Sequence, residues 1–223
     1  MSAKLSITSW WILALMSLFL WYRNIRYDRA LSIFVFSLGL LQLVQYGVFS
    51  GADSQQSGRA LYIILWLQCL VLSIGVFLFI KTNRDLDNPS INENIVYTIS
   101  EWVIIFYSMI FFIALALSFI SSWTFETIVT NDNKDITVVI HGRDSSSCVL
   151  GYWNILYIFG ILIPLILIGA YYRFSEIGSV ILILYIIIGI IALGKDYLFS
   201  ENFSYYTVGF AFMSWIVGMI NYV

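Results

Sequence analysis

Charged residues are scarce in this chain of 223 residues. Asp, Glu, Lys and Arg make up 11% of the sequence and hydrophobic residues 61%, whereas a soluble domain has about 25% and about 45–50%. This composition excludes a water-soluble protein and predicts a membrane domain whose surface faces the lipid bilayer. A formal net charge of −2 leaves no broad basic surface, so no nucleic-acid partner is expected.

Cysteine and histidine are also nearly absent, with two cysteines and one histidine. A zinc site needs three or four nitrogen or sulfur ligands, and His141, Cys148 and the deeply placed Cys69 form a poor set. A disulfide between the two cysteines would require Cys148 to dip into the membrane, and the sequence leaves that open. No nucleophile elbow, phosphate-binding loop or carboxylate pair occurs. We therefore expect no metal, no cofactor and no enzymatic activity.

What the sequence has in abundance is long hydrophobic stretches. Seven of them have about the length that an α-helix needs to cross a bilayer. Of the 11 basic and 13 acidic residues, only Glu101 falls inside one. The pattern predicts one all-α integral membrane domain over residues 1–223, a bundle of seven transmembrane helices. The predicted spans are about 6–22, 30–50, 60–80, 97–120, 152–172, 177–194 and 206–223.

Arginines indicate the orientation. Arg23, Arg26 and Arg29 follow the first stretch, and Lys4 alone precedes it. Positive residues favour the cytosolic side, so the first loop is predicted to be cytosolic and the N-terminus to lie outside. Seven spans then put the C-terminus in the cytosol. On the outer side, Asn202 begins a glycosylation sequon, and whether it is used is left open.

The long outer loop, about 121–151, has a β-strand pattern. Two β-branched runs, 124–130 and 136–140, flank a polar segment at 131–135, which predicts an extracytosolic β-hairpin between helices 4 and 5. It could be a lid over the helix ends or a surface that binds a small ligand or a protein partner. The candidate outer-surface residues are Glu126, Asp132, His141 and Arg143.

Three glutamines occur inside the predicted spans. Gln42 and Gln45 share one face of span 2, and Gln68 lies at a similar depth on span 3. The matching depth predicts a hydrogen bond between Gln42 and Gln68 that joins neighbouring helices. Alternatively, the three amides and Glu101 line a polar cavity for a ligand or an ion.

Glu101 is the ionisable residue within a span. An acid in the membrane is a functional candidate because its burial is unfavourable. The predicted span places it only about four residues from the inner end, where it could reach the headgroups or pair with Lys81 or Arg84. A role in proton or cation binding is the alternative.

The predicted topology resembles that of microbial rhodopsins and G-protein-coupled receptors. A rhodopsin holds retinal on a lysine in the middle of its last helix. The last predicted span here contains no lysine and has Ser214 and Trp215 near its centre. The resemblance is therefore to topology, and no retinal is expected.

A second resemblance rests on residues near the N-terminus. The segments 23–30, RNIRYDRA, and 41–46, LQLVQY, resemble the "RN…DR…A…QLxE" stretch of multi-span membrane proteins from giant DNA viruses and some protists. Gln45 stands where those proteins tend to carry an acid. The resemblance implies no particular activity. It implies a viral membrane protein or a protist one, in a host endomembrane, the plasma membrane or a virion membrane.

Three functions remain compatible with the sequence. The first is a receptor-like or interaction protein that presents its outer face to a ligand or partner. The second is a small transporter or channel whose polar path contains Gln42, Gln45, Gln68 and Glu101, although several helices lack the charges that ion pumping requires. The third is a structural membrane protein without a ligand.

Overall fold

The computed structural model describes residues 3–25, 27–84, 90–119, 124–129, 136–141, 147–149, 153–173, 177–193 and 201–220. Within these ranges the chain forms seven helices and a small sheet. The helices are α1 (Ala3–Arg23), α2 (Asp28–Phe49), α3 (Ser54–Asn83), α4 (Ile91–Phe119), α5 (Trp153–Tyr171), α6 (Ile177–Leu193) and α7 (Glu201–Ile220). The four helices α1 to α4 are long and apolar enough to cross a membrane.

Helices α3 and α4 are longer than the sequence analysis predicts. They contain 30 and 29 residues and begin at Ser54 and Ile91, each six residues before the expected start of the span. Asp53 caps α3 by accepting a hydrogen bond from the backbone N–H of Gln56 at 2.8 Å. Hydropathy marks only the part of a helix that lipid must cover, while polar turns extend the helix beyond it.

The helices pack as an antiparallel series around α3. This helix contacts α2, α4 and α5, while α7 contacts α1, α2 and α6. We call the end of the bundle where α3 begins the sheet end. The opposite end, where α1, α3 and α5 finish, is called the arginine end, after Arg23, Arg84 and Arg173.

Small residues bring the first three helices close together. Ser17 Oγ donates to the backbone oxygen of Ser32 at 2.8 Å, and Ser32 Oγ donates to that of Ser17 at 2.7 Å. Between α2 and α3, a Cβ added at Gly75 would lie 3.0 Å from the Cα of Ala30. Such close backbone approach is typical of membrane bundles, where packing and hydrogen bonds replace the hydrophobic effect between helices.

Two tyrosines and two glycines join α6 to α7 reciprocally. The rings of Tyr185 and Tyr206 stack with centroids 4.8 Å apart. Each hydroxyl donates to the other residue's backbone oxygen, at 3.2 Å from Tyr185 and 2.8 Å from Tyr206. Tyr206 lies against Gly189, and Tyr185 against Gly209. Because a methyl group at either glycine would meet a tyrosine ring, the contact requires glycine at both positions.

The loop between α4 and α5 contains a three-stranded antiparallel sheet. Its strands are β1 (Thr124–Val129), β2 (Ile136–His141) and β3 (Ser147–Val149), in that spatial order. Strands β1 and β2 coincide with the two β-branched runs of the sequence, and pair from Thr124 with His141 to Val129 with Ile136. The sequence analysis missed β3, since three residues are too few to show an alternating pattern.

Candidate functional site

The three predicted amides are fully buried. Gln42, Gln45 and Gln68 each have 0% of their surface exposed. Gln68 Nε2 donates to the backbone oxygen of Ser37 on α2 at 3.0 Å, and Tyr157 on α5 donates its hydroxyl to Gln68 Oε1 at 2.6 Å. These two bonds of Gln68 go to Ser37 and Tyr157, and a bond between Gln68 and Gln42 stays a prediction. Gln68 joins α3 to α2 and α5 through a backbone oxygen and a tyrosine 89 residues away.

Tyr157 also borders a cavity in the centre of the bundle. The cavity has a volume of about 20 Å³, which is room for about one water molecule. Its lining is almost entirely apolar, in contrast to the polar chamber that the sequence allowed. A pocket for a drug-sized ligand has about 300–1,000 Å³. The lining residues come from α2, α5, α6 and α7: Phe34, Leu38, Tyr157, Ile161, Ile186, Tyr206, Thr207 and Phe210.

Gln42 and Gln45 continue from this cavity toward the sheet end. They follow Leu38 on α2 by four and seven residues, and therefore lie on the same face of the helix. Neither Oε1 nor Nε2 of Gln45 has a hydrogen-bond partner within the described ranges. Gln42 and Gln45 are both fully buried and three residues apart in α2, so they share a face of the helix, as the sequence predicts.

Glu101 is not brought together with the amides. Because α4 begins at Ile91, Glu101 lies ten residues into the helix instead of the four expected from the sequence. It is partly exposed, and its hydrogen-bond partner is Tyr97, one turn earlier on the same helix. The guanidinium of Arg84 lies 4.7 Å from the centre of the Tyr97 ring. Arg84 thus lies over Tyr97 and Lys81 over Phe77, and within the described residues neither forms an ion pair with Glu101.

A buried ion pair at the arginine end was missed by the sequence analysis. Arg23 and Asp28 are joined by two hydrogen bonds, Nε to Oδ2 at 2.7 Å and Nη2 to Oδ1 at 2.8 Å. Their side chains are 10% and 2% exposed. Arg23 Nη1 also donates to the backbone oxygen of Trp215 on α7 at 2.6 Å. The signal available in the sequence was an acid five residues after an arginine, across the short turn between two spans.

The sheet is fastened to the start of α3. Thr127 of β1 donates its backbone N–H to Ser54 Oγ at 2.9 Å, and Ser54 Oγ contacts the Thr127 backbone oxygen at 3.1 Å. The Thr127 hydroxyl donates to the Ser54 backbone oxygen at 3.3 Å. Of the predicted surface residues, Glu126 lies in β1 and His141 in β2. Asp132 and Arg143 lie outside the described residues.

Cys69 is a free, fully buried thiol that donates to the backbone oxygen of Tyr157 at 3.7 Å. Its Sγ packs against Gly160 of α5, so this cysteine serves helix packing.

Neither a protein-family model, nor a curated protein, nor a solved structure matches the chain. Its function must therefore follow from the residues themselves.

Proposed function

We propose that this chain is a seven-span membrane protein of the receptor or interaction type, which receives a ligand or protein partner on its sheet end. Four helices have the length and hydrophobicity of membrane spans. The remaining three contain 19, 17 and 20 residues, within the range of about 17–25 that a bilayer requires. The antiparallel packing of consecutive helices supports seven crossings.

The orientation proposed has the N-terminus and the sheet outside and the C-terminus in the cytosol. The support is the charge of the two ends, because lysine and arginine favour the cytosolic side. Under this topology the cytosolic side holds six basic residues and the outer side five: Arg23, Arg26, Arg29, Lys81, Arg84 and Arg173 against Lys4, Arg59, Lys134, Arg143 and Lys195. The three arginines that follow α1 decide the orientation, because the first span usually dominates topology.

The observation that carries the receptor proposal is the attachment of the sheet to α3. Ser54 and Thr127 exchange hydrogen bonds through both backbone and side chains. A displacement of the sheet would therefore be passed directly to the start of α3. Helix α3 then contacts α2, α4 and α5 and holds Gln68 in the centre of the bundle. A partner that moves the sheet would therefore shift a helix that contacts three others.

The transporter alternative has less support in this conformation. The central cavity has room for about one water molecule, and Glu101 lies apart from the buried amides. A structural protein without a ligand would share the same closed interior, and what separates it from a receptor is whether the sheet has a partner.

Photo-cross-linking in the protein's own membrane tests the proposal. A photoreactive amino acid replaces Ile128 of the sheet, which is 44% exposed, and in a matched control Ile113 of α4, which is 54% exposed. We expect a protein or ligand adduct at position 128 and lipid adducts alone at position 113. The same lipid adducts at both positions would contradict a receptor and favour the structural protein.

A flux measurement tests the alternative separately. Liposomes with the purified chain are shrunk osmotically and allowed to recover in urea or glycerol. We expect recovery at the rate of protein-free liposomes. Faster recovery would show a solute path through the bundle and would replace the receptor proposal with a transporter.

A further inference from the structure

Gln45 is a buried amide with unmet hydrogen-bonding capacity. Its side chain is fully buried, and within the described part of the chain neither its nitrogen nor its oxygen has a hydrogen-bond partner. A glutamine side chain offers two donors and one carbonyl acceptor. Leaving all of them unmet inside a membrane protein is strongly unfavourable, because lipid supplies no replacement.

Its position separates Gln45 from the apolar central cavity. It lies seven residues beyond Leu38, or about 10 Å along the helix axis toward the sheet end. Four residues, about 6 Å, then remain to the end of α2 at Phe49. Gln45 is thus close to the headgroup region, where water is available, while still being covered by protein.

We propose that Gln45 binds internal water at the sheet end of the bundle. Buried water typically makes about three hydrogen bonds to protein groups that would otherwise be unpaired. The Gln45 amide both donates and accepts, as a bound water molecule requires of its partners. The side chain is uncharged, which favours a neutral donor and acceptor such as water over an ion.

Gln68 provides an internal comparison. It is the same residue type with the same complete burial, yet its nitrogen donates to Ser37 and its oxygen accepts from Tyr157. The two amides therefore differ in the partner they have and not in their depth of burial. Gln56, which is exposed in the first turn of α3, represents an amide in bulk water.

Nuclear magnetic resonance can test the proposal on the full chain in lipid nanodiscs. The protein is labelled with ¹⁵N-glutamine, and transfer of magnetisation from water to the side-chain NH₂ groups is measured. Substitutions Gln45→Met, Gln68→Met and Gln56→Met assign the signals. We expect water cross-peaks for Gln45 and Gln56 and none for Gln68.

A Gln45 signal without a water cross-peak, at a mixing time that gives one for Gln56, would overturn the proposal. So would a cross-peak from Gln45 to lipid acyl protons in place of water. If Gln45→Met fails to fold, Gln45→Asn assigns the signal, since it keeps an amide at this position while removing the labelled glutamine. The result is independent of the receptor proposal, because it concerns the resting bundle without a partner.

Discussion

Replacing Asp28 with Asn should destabilise the bundle strongly. The change removes the charge that compensates Arg23, whose side chain is only 10% exposed. Each charge-assisted hydrogen bond in the pair contributes about 1.5–3 kcal/mol, and removing one partner of a buried pair costs about 3–5 kcal/mol. The introduced amide keeps one acceptor oxygen, and Arg23 keeps the backbone oxygen of Trp215. We therefore expect Asp28→Asn to lower the free energy of unfolding by about 3 kcal/mol.

The measurement is reversible unfolding in mixed micelles of dodecyl maltoside and sodium dodecyl sulfate, followed by tryptophan fluorescence. The double variant Arg23→Met/Asp28→Leu should lose less than the sum of its single variants, since it leaves no uncompensated charge in the protein. Arg29→Met is the matched control. Arg29 is exposed, has no ion-pair partner in the described part of the chain, and lies 5.5 Å from the Trp21 ring. Its loss should be at most about 1 kcal/mol.

Two results would refute this reasoning. A loss below about 1 kcal/mol for Asp28→Asn would equate the pair with an exposed surface ion pair. Losses that add up in the double variant would show that Arg23 and Asp28 contribute separately. In the second case, the contact of Arg23 with α7 would be the important one.

Three further outcomes are expected. Gln68→Leu and Tyr157→Phe should each lower the free energy of unfolding by about 1 kcal/mol, with a smaller additional loss in the double variant; additive losses in chemical denaturation would mean that the two side chains do not share a bond. Gly189→Ala should destabilise the protein by about 1–3 kcal/mol, because the added methyl group meets the Tyr206 ring. In the control Gly47→Ala, the added methyl group lies 3.7 Å from Ala52 Cβ, so the change should be neutral or stabilising by up to about 1 kcal/mol. Thermal unfolding compares the two variants. A C-terminal epitope tag should be protected from protease added outside sealed cells, and its cleavage there would reverse the proposed orientation.

The helical segments could be predicted because lipid imposes a local requirement. A segment without charges over about 20 residues must satisfy its backbone internally, and a helix does this without distant partners. The ends were less predictable. Helix α3 begins at Ser54, where Asp53 caps it, and such polar turns are invisible to hydropathy.

The buried amides illustrate what the residue type predicts and what it does not. That Gln42, Gln45 and Gln68 would face the interior follows from the cost of placing an amide in lipid. Their partners do not follow, because burial requires a hydrogen bond without specifying which one. Gln68 accepts from Tyr157 on α5, a neighbour set by helix packing across 89 residues.

By itself, the sequence determined a series of apolar helices, the two longer strands of the sheet, and the burial of the amides, since each depends on the surroundings that one short segment requires. Only the tertiary structure decided which groups meet. Arg23 reaches α7 across 192 residues, the sheet rests on Ser54 across 73, and Glu101 pairs with Tyr97 and lies apart from the amides. Such contacts depend on the order and rotation of helices, which arise from the close packing of small residues and are not encoded by the hydropathy of any one segment.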